Sequence, residues 1–223
     1  MKSRIVATLL AGVGLAALPA AAQATPVTAA EWPLAGNAND ASGNGHNGTA
    51  SPSVNFTADG AQFNGLDSRI TVPYSAGLSP GASDVTVSLD VKTTATPGTG
   101  NLDFDLVRAS PGGKMFKVEL FPHGKIKAQA QCIFIGTTTR ITVHAGPTLN
   151  DGGWHTIVCH KTSGQVTLTV DGGDPDGTAN VTIGSINLKK NGPFALGYKP
   201  VPGGTDGDFY NGFMKNVSVV FGS

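Results

Sequence analysis

Hydrophobic and polar residues alternate along most of the chain. Residues 85–92 read Val-Thr-Val-Ser-Leu-Asp-Val-Lys, and residues 116–120, 126–134, 166–170 and 213–221 repeat this pattern with short interruptions. Successive side chains of a β-strand point to opposite faces of the sheet, so a period of two predicts strands with one buried and one polar face.

Residues 154–160 depart from this alternation. Trp154 and Val158 have one parity, whereas Ile157 and Cys159 have the other, and we expect this strand to be covered on both faces. No segment after residue 24 keeps the 3.6-residue period of an amphipathic helix over three turns. About ten to thirteen strands, separated by turns rich in Gly, Pro and Asn, predict an all-β protein built as an antiparallel sandwich of two sheets.

The N-terminus has the pattern of a secretory signal. Lys2 and Arg4 precede the apolar residues 5–18, and Ala22-Gln23-Ala24 offers small residues at the two positions that a signal peptidase reads. The apolar segment is shorter than the roughly 20 residues of a membrane-spanning helix. We therefore expect residues 1–24 to be a removed signal peptide and residues 25–223 to form a single secreted domain with no membrane span. A retained N-terminal anchor is the alternative.

Composition and charge narrow the classes of function. The chain has 31 glycines, 14 prolines, 13% charged residues and a formal net charge of zero. This much Gly and Pro disfavours a helical bundle, and a chain without a basic excess lacks the charge that nucleic-acid binders use. Only two of its 15 acids are glutamates, Glu31 and Glu119. Because many hydrolytic reactions need paired carboxylates, this scarcity limits the chemistry available.

The two cysteines, Cys132 and Cys159, both lie in the part expected to be exported. In an oxidising compartment a single pair has one intramolecular choice of partner. We expect a disulfide between them, with two free thiols as the alternative.

Four segments carry a family resemblance. They are residues 32–34 followed by the Asp-Ala-Ser-Gly-Asn-Gly-His-Asn-Gly-Thr loop at 40–49, residues 63–73, residues 151–156 and residues 210–213. Together they resemble bacterial laminin G-like domains with a concanavalin A-like jelly roll, over residues 32–221. The resemblance implies a jelly-roll sandwich in which Trp32, Phe63 and Trp154 pack in the core, and a disulfide between adjacent strands.

The resemblance also implies one calcium ion at the rim of the sandwich, held by the loop at 40–49 and by an acid in the last strand. Asp40 and Asn44 match the loop ligands, but Lys215 stands where the family usually has Asp. A lysine would repel Ca²⁺, so we consider an ion pair between Lys215 and Asp40 in place of the metal, joined by Asp206 or Asp208. The alternatives are that Lys215 reaches solvent and that Asp40 only caps its own turn. Apart from calcium, no cofactor is expected.

Catalytic motifs of similar jelly-roll enzymes are missing from the sequence. It has neither the Glu-x-Asp-x-x-Glu strand of the glucanases nor the Gln-x-His strand of the lyases. Asp103 and Asp105 are the one remaining carboxylate pair, about 6.6–7 Å apart along an extended strand, a spacing that suits an inverting hydrolase. The simpler interpretation is a solvated strand face on which Asp105 pairs with Arg108.

A secreted binding module without catalysis is therefore the function we predict, with carbohydrate or an extracellular polymer as partner. Sugar sites need aromatic and polar side chains on loops, and the candidates for ligand binding are Tyr198, Asp208, Tyr210 and Asn211. A polysaccharide-degrading enzyme on the same fold and an envelope protein that docks another protein are the alternatives. An exposed face rich in Val and Ile would favour protein docking, and a groove with Tyr side chains would favour sugar.

Overall fold

The structure is a computed structural model that describes residues 25–98, 103–109, 113–190 and 192–222. The predicted signal peptide, residues 1–24, lies outside the described residues. Within the described ranges there is no helix long and apolar enough to cross a membrane.

The secondary structure is almost entirely β, as predicted. The one 3₁₀ helix in the described ranges, Ala76–Leu78, is capped by the Ser75 side chain, which accepts a hydrogen bond from the Gly77 N–H. The strands in the described part of the chain are β1 (Val27–Trp32), β2 (Thr49–Ala50), β3 (Asn55–Thr57), β4 (Gly60–Asn64), β5 (Ile70–Val72), β6 (Val85–Lys92), β7 (Phe104–Ala109), β8 (Met115–His123), β9 (Ile126–Ile135), β10 (Arg140–Ala145), β11 (Trp154–Lys161), β12 (Gln165–Val170), β13 (Gly177–Asn180), β14 (Phe194–Leu196) and β15 (Asn211–Phe221).

The strands form two antiparallel sheets. The eight-stranded sheet has the order β13-β12-β11-β6-β15-β4-β3, with β1 also paired to β15, and the seven-stranded sheet has the order β10-β9-β8-β7-β14-β5-β2. Neighbours that are far apart in sequence, such as β6 and β15, are typical of a jelly roll rather than a simple meander. The predicted two-sheet sandwich is confirmed.

Both sheets contribute one face to a common core. Trp32 of β1 is fully buried, its ring centroid lies 5.1 Å from that of Phe194 on the opposite sheet, and its indole N–H donates to the His46 carbonyl at 2.8 Å. Phe63 is also buried, so the packing role predicted for Trp32 and Phe63 is confirmed. A buried indole needs such an acceptor, because an unpaired donor would offset the gain from burial.

The predicted disulfide forms, but it does not join adjacent strands. Cys132 lies on β9 of the seven-stranded sheet and Cys159 on β11 of the eight-stranded sheet, with their Cα atoms 5.8 Å apart. Both residues have the core parity of their strands, and their Cα separation lies in the usual range for a disulfide. The bridge therefore fastens one sheet to the other through the middle of the core.

The expectation for β11 was wrong, because only one of its faces is covered. Ile157, Cys159 and Lys161 point into the sandwich, whereas Trp154 is half-buried on the outer face. Trp154 is therefore not the core residue that the sequence suggested. Lys161 has the core parity, and its ammonium escapes the apolar interior by donating to the carbonyls of Ala82 and Ser83 at 3.4 and 3.0 Å.

Candidate functional site

A band of polar side chains lies on the outer face of the seven-stranded sheet, and much of it is shielded from solvent. We call it the polar face and define it by the buried residues Asp105, Lys117, Glu119, Gln129 and Gln131, together with the exposed His123 and His144. The strand register aligns four of these residues in one row, since Asp105 lies opposite Glu119, Glu119 opposite Gln131 and Gln131 opposite His144.

A β-bulge in β7 places a second cation, Arg108, on this face beside Lys117. The register shifts between Asp105 and Val107, so that Arg108 lies opposite Lys117 while Asp105 lies opposite Glu119. Residues three apart in a regular strand point to opposite faces, and the extra residue of a bulge brings them to the same one. The Arg108 Nη1 donates to Asp105 Oδ2 at 3.0 Å, which confirms the pairing expected from the sequence.

Lys117 is surrounded by three carboxylates. Its Nζ lies 2.9 Å from Asp105 Oδ1 and 3.2 Å from Asp103 Oδ2, and it also pairs with Glu119 Oε2. The amide of Gln131 donates to the other Glu119 oxygen. One oxygen from each of the three acids lies within 4.8 Å of the others, an arrangement that could hold a metal ion. The lysine ammonium supplies the positive charge at this point instead.

Burial changes the proton affinities in this cluster. It raises the pKa of Glu119 to about 9, with Asp103 adding to the effect and Lys117 opposing it. Burial also raises the pKa of Asp103. Burial alone would lower the pKa of Lys117, but the three acids raise it above its usual value. A protonated Glu119 leaves two carboxylates, Asp103 and Asp105, facing two cations, so the buried charges balance.

Next to the cluster, the same face forms a cleft of about 330 Å³. We call it the cationic cleft. Its lining consists of Arg108, Gly113, Met115, Lys117, Ile133, Ile135 and Arg140. Its volume falls at the lower end of the range typical of small-molecule sites, about 300–1,000 Å³.

Two exposed imidazoles stack at another part of the polar face. The ring centroids of His123 and His144 are 3.8 Å apart, with an angle of 33° between the rings. On β9, the side-chain amide nitrogen of Gln129 donates to the Gly146 carbonyl at 3.0 Å. The side-chain oxygen Oε1 of Gln129 is buried without a partner in the described residues. The polar face thus offers an exposed ring surface to a ligand, beside a buried glutamine. Aromatic rings and polar groups are the features that sugar sites combine.

The predicted residues Asp103 and Asp105 do come together, but their surroundings differ from the prediction. Asp105 is completely buried and the Asp103 side chain is 14% exposed. The solvated strand face expected from the sequence was therefore wrong for Asp105, because Lys117 and Arg108 cover its carboxylate. A buried carboxylate behind two cations cannot contact a substrate directly.

Two of the predicted ligand-binding residues flank the same face. The Tyr198 hydroxyl lies 2.8 Å from that of Thr71, and its ring stacks on Phe209 with centroids 6.3 Å apart. Asp208 accepts from the Lys199 ammonium at 2.6 Å, and its carbonyl accepts from the Asp105 N–H at 3.0 Å. Both side chains are nearly buried, so they support the site from beside it.

The other two predicted residues lie elsewhere. Tyr210 is fully buried, and its hydroxyl donates to the carbonyls of Lys92 and Phe213, each at 3.1 Å. The expectation that Tyr210 presents its ring to a ligand was wrong, because the ring fills the core between Phe63 and Phe104. Asn211 is exposed at the start of β15, and its carbonyl accepts from Thr93 at 2.6 Å.

Sequence reasoning missed Lys117, Glu119, Gln129 and Gln131 as site residues, although it placed them on the outward parity. The available signal was the spacing itself, Lys-x-Glu on one strand and Gln-x-Gln on the next. An outward polar residue is usually solvated, and nothing in the local pattern shows that this face is shielded.

The comparisons with known proteins fit this architecture. The family model Laminin_G_3, described as the concanavalin A-like lectin/glucanases superfamily, matches residues 63–221, well over half of the chain. The chain belongs to this superfamily. The resemblance to laminin G-like domains is thereby confirmed. None of the curated proteins compared with the chain matches it.

Solved structures with the superfamily fold include three of particular interest. The binding domain of Paraclostridial Mosquitocidal Protein 1 has 14% identity and a TM-score of 0.66, covering 87% of this chain and 48% of that one. Mouse laminin alpha1 domains LG4-5 have 20% identity and a TM-score of 0.52, covering 71% and 40%. Domain 4 of AbnA, an extracellular GH43 arabinanase from Geobacillus stearothermophilus, in complex with arabinotriose, has 18% identity and a TM-score of 0.55, covering 88% and 92%. This chain spans less than half of the first two chains, and identities this low show the fold alone.

The loop where the superfamily resemblance implies calcium is held together by its own hydrogen bonds. The Asp40 carboxylate accepts from the N–H groups of Glu31, Ser42 and His46 at 2.8–3.0 Å. Burial alone would raise the pKa of Asp40, but these donors lower it. The Asn44 amide nitrogen donates to the carbonyls of Thr28 and Ala29 on β1. These contacts use both predicted ligands to hold the loop together and against β1, which is a poor fit to a calcium shell. Calcium binding stays a prediction.

Lys215 does not pair with Asp40. Its ammonium lies 4.1 Å from the centroid of the Trp154 ring, on the outer face of the eight-stranded sheet and opposite Asp90 in the register. The proposed ion pair was wrong because β15 contains a bulge between Lys215 and Ser218, where Asn216 adopts a φ of 50°. The bulge sets Met214 and Val217 in the core and Lys215 on the opposite side.

Proposed function

We propose that this protein is a secreted, non-catalytic module that binds carbohydrate through the polar face. The observation that carries the proposal is the polar face itself, in which stacked exposed histidines, polar side chains and a cleft lie on one side of one sheet. Such convergence of flat rings and polar groups is typical of sugar sites. An inter-sheet disulfide agrees with an extracellular location, since disulfides persist in oxidising compartments.

The test is binding of the purified protein to a panel of soluble plant and bacterial polysaccharides, measured by affinity gel electrophoresis. His144→Ala removes one ring of the exposed stack, and we expect it to weaken binding about tenfold, equivalent to about 1.4 kcal/mol. His160→Ala is the matched control, because His160 lies on β11 in the other sheet. If His160→Ala weakens binding and His144→Ala does not, the polar face is not the binding site.

A polysaccharide-degrading enzyme is the second candidate, favoured by the convergence of Asp103, Asp105 and Glu119. Retaining glycosidases hold two carboxyl groups about 5–5.5 Å apart, a separation that this cluster approaches. Catalytic carboxylates must however touch the substrate, whereas Asp105 and Glu119 are buried around Lys117. Reducing sugar released from the same polysaccharides, and abolished by Asp103→Asn, would establish the enzyme in place of the binding module.

Docking onto another protein has less support. Among the described residues the exposed large hydrophobics are Val27 and Leu66, which leaves no Val- and Ile-rich patch of the kind expected for a docking face. The outer face of the eight-stranded sheet is instead lined by hydroxyl and charged side chains such as Thr86, Ser88 and Asp90.

A further inference from the structure

The cationic cleft contains side chains of only two chemical kinds besides one glycine. Arg108, Lys117 and Arg140 are cations, and Met115, Ile133 and Ile135 are apolar, while none of the described lining residues is a carboxylate. In the register Met115 lies opposite Ile135 and Lys117 opposite Ile133, so the apolar residues form a continuous surface between the cations. Arg108 and Lys117 pair with the acids Asp105 and Asp103, so Arg140 is the cation of this lining without an acidic partner among the described residues.

Both arginines have donors without an acceptor among the described residues. Arg108 uses Nη1 for Asp105, but its Nε is buried and has no acceptor among the described residues. Arg140 lies exposed at the start of β10, opposite Ile135, and forms no ion pair with any described residue. A buried donor without an acceptor is costly, and a ligand oxygen bound in the cleft would satisfy it.

The acids of the polar face do not prevent an anion from binding here. Asp105 and Glu119 are buried, and the Lys117 ammonium is bonded to them and to Asp103. The Lys117 ammonium thus compensates the negative charge of these acids beside the cleft. Further positive charge lies at the edge, where the Lys189 side chain packs against Gly113.

We infer that the cationic cleft binds the oxyanion substituent, a carboxylate or a sulfate ester, of an acidic polysaccharide. The planar guanidinium of arginine matches such groups with two parallel hydrogen bonds, and Met115, Ile133 and Ile135 accept the apolar face of the sugar ring. This inference rests on the proposed function and names the class of polymer that the polar face takes.

The test measures binding of four soluble polymers to the purified protein by calorimetry. Polygalacturonate supplies carboxylates, dextran sulfate supplies sulfate esters, dextran is neutral, and poly-glutamate is an acidic polymer without sugar. We expect at least one of the two acidic polysaccharides to bind, with an affinity that falls as ionic strength rises, and dextran and poly-glutamate to bind at least about tenfold more weakly. The polymer preferred between the first two identifies the oxyanion.

Arg140→Gln removes an exposed guanidinium without leaving a buried acid unpaired, and we expect it to weaken binding about tenfold, as the loss of a charged hydrogen bond does. Arg140→Lys should recover part of the affinity, because it restores charge but not the planar donor pair. Lys125→Gln is the control, since it removes one exposed charge at the far turn of the β8–β9 hairpin and should leave affinity unchanged. Equal thermal unfolding of the variants shows that all are folded.

Three results would overturn the inference. They are equal affinity for dextran, equal affinity for poly-glutamate, and an Arg140→Gln variant that binds as the parent does. If neutral polysaccharides bind and Arg140→Gln has no effect, the inference fails while the proposed function stands. If no polysaccharide of either kind binds, both fail.

Discussion

Within the carboxylate cluster, the protonation of Glu119 decides whether positive and negative charges balance. Its pKa rises from an ordinary value of 4.5 to about 9 in the folded protein, so the native state holds a proton that the unfolded chain releases. Glutamine has nearly the shape of a protonated glutamate. Replacing Glu119 by glutamine should therefore affect stability much less than replacing its neighbour Lys117 by an apolar residue.

Glu119→Gln is expected to change the free energy of unfolding by about 1 kcal/mol or less near neutral pH. Lys117→Met leaves Asp103 and Asp105 buried without their shared cation, and we expect a loss of about 3–5 kcal/mol. Denaturant unfolding followed by fluorescence measures both. Equal destabilisation by the two substitutions would show that Glu119 is ionised in the native state.

The same residue predicts a pH dependence. Because the folded-state pKa of Glu119 lies above its unfolded value, its contribution to stability is fully present below about pH 4.5 and is lost as pH rises to about 9. The melting temperature of the parent should therefore fall over this interval, and Glu119→Gln should flatten the decline. A parallel decline in the two proteins would contradict the prediction.

His155 should contribute a second, smaller decline. Its Nδ1 lies 2.8 Å from Asp171 Oδ2 and its Nε2 lies 3.0 Å from Asp151 Oδ1. Burial alone would lower the pKa of His155, but these two acids raise it above 6.5, so its stabilising charge is present below pH 6.5 and is lost as pH rises through the folded-state pKa. An NMR titration should show the raised pKa, and Asp171→Asn should lower it; an unchanged titration in Asp171→Asn would contradict the assignment.

At the level of elements, the bulges in β7 and β15 determine which charged side chains meet. The bulge in β7 brings Asp105 and Arg108 to one face, and the bulge in β15 turns Lys215 away from the core. The Asn216 side chain also donates to Asp90 Oδ2 at 2.7 Å, fixing the second bulge to β6. Bulges thus act as positioning devices in this fold.

Asn216→Ala is expected to lower the free energy of unfolding by about 1–2 kcal/mol, because alanine is strained at the φ of 50° that Asn216 adopts. Asn216→Gly loses the same side-chain hydrogen bond but tolerates the backbone, so it should be less destabilising. Thermal unfolding of both variants provides the measurement. A glycine variant as unstable as the alanine variant would show that the hydrogen bond, rather than the backbone, stabilises the bulge.

Alternation predicted the regular strands β6, β8, β9 and β12 well, because burial of one face leaves a period of two in the sequence. It failed at β15, where one inserted residue reverses the parity of Lys215 relative to Val217. A bulge changes the direction of the side chains without changing the hydrophobic pattern of the sequence. Asn216, a residue type that tolerates a positive φ, is the sign of this bulge in the sequence. Trp154 was placed in the core for another reason, since that expectation came from the family resemblance and not from alternation.

At the scale of the whole molecule, the pairing of distant segments could not be predicted from local pattern. Sequence predicted two sheets, a disulfide and the parity of Lys117, Glu119 and Gln131. It could not show that β7, β8 and β9 bring their polar positions together, or that this face is shielded, because both depend on which strands are neighbours. The candidate site was therefore only half predicted, through Asp103 and Asp105.

The inter-sheet disulfide has a consequence at this scale. It closes a loop with a sequence separation of 27 residues, and its removal should cost about 3 kcal/mol, mainly by freeing the unfolded chain. The double variant Cys132→Ala/Cys159→Ala should unfold at lower denaturant concentration while keeping its far-ultraviolet circular dichroism. Equal stability of the variant and the parent would contradict this estimate.

The ammonium of Lys117 lies among the side chains of three acidic residues, where a dissolved cation could otherwise bind. A side chain is covalently attached to the backbone, so its local concentration is fixed and does not depend on the ions in the medium. Chelators, dilution and changes in the mineral content of the surroundings leave such a charge in place. The polar face therefore carries its own counter-ion and keeps its shape in media that would strip a metal from a conventional site.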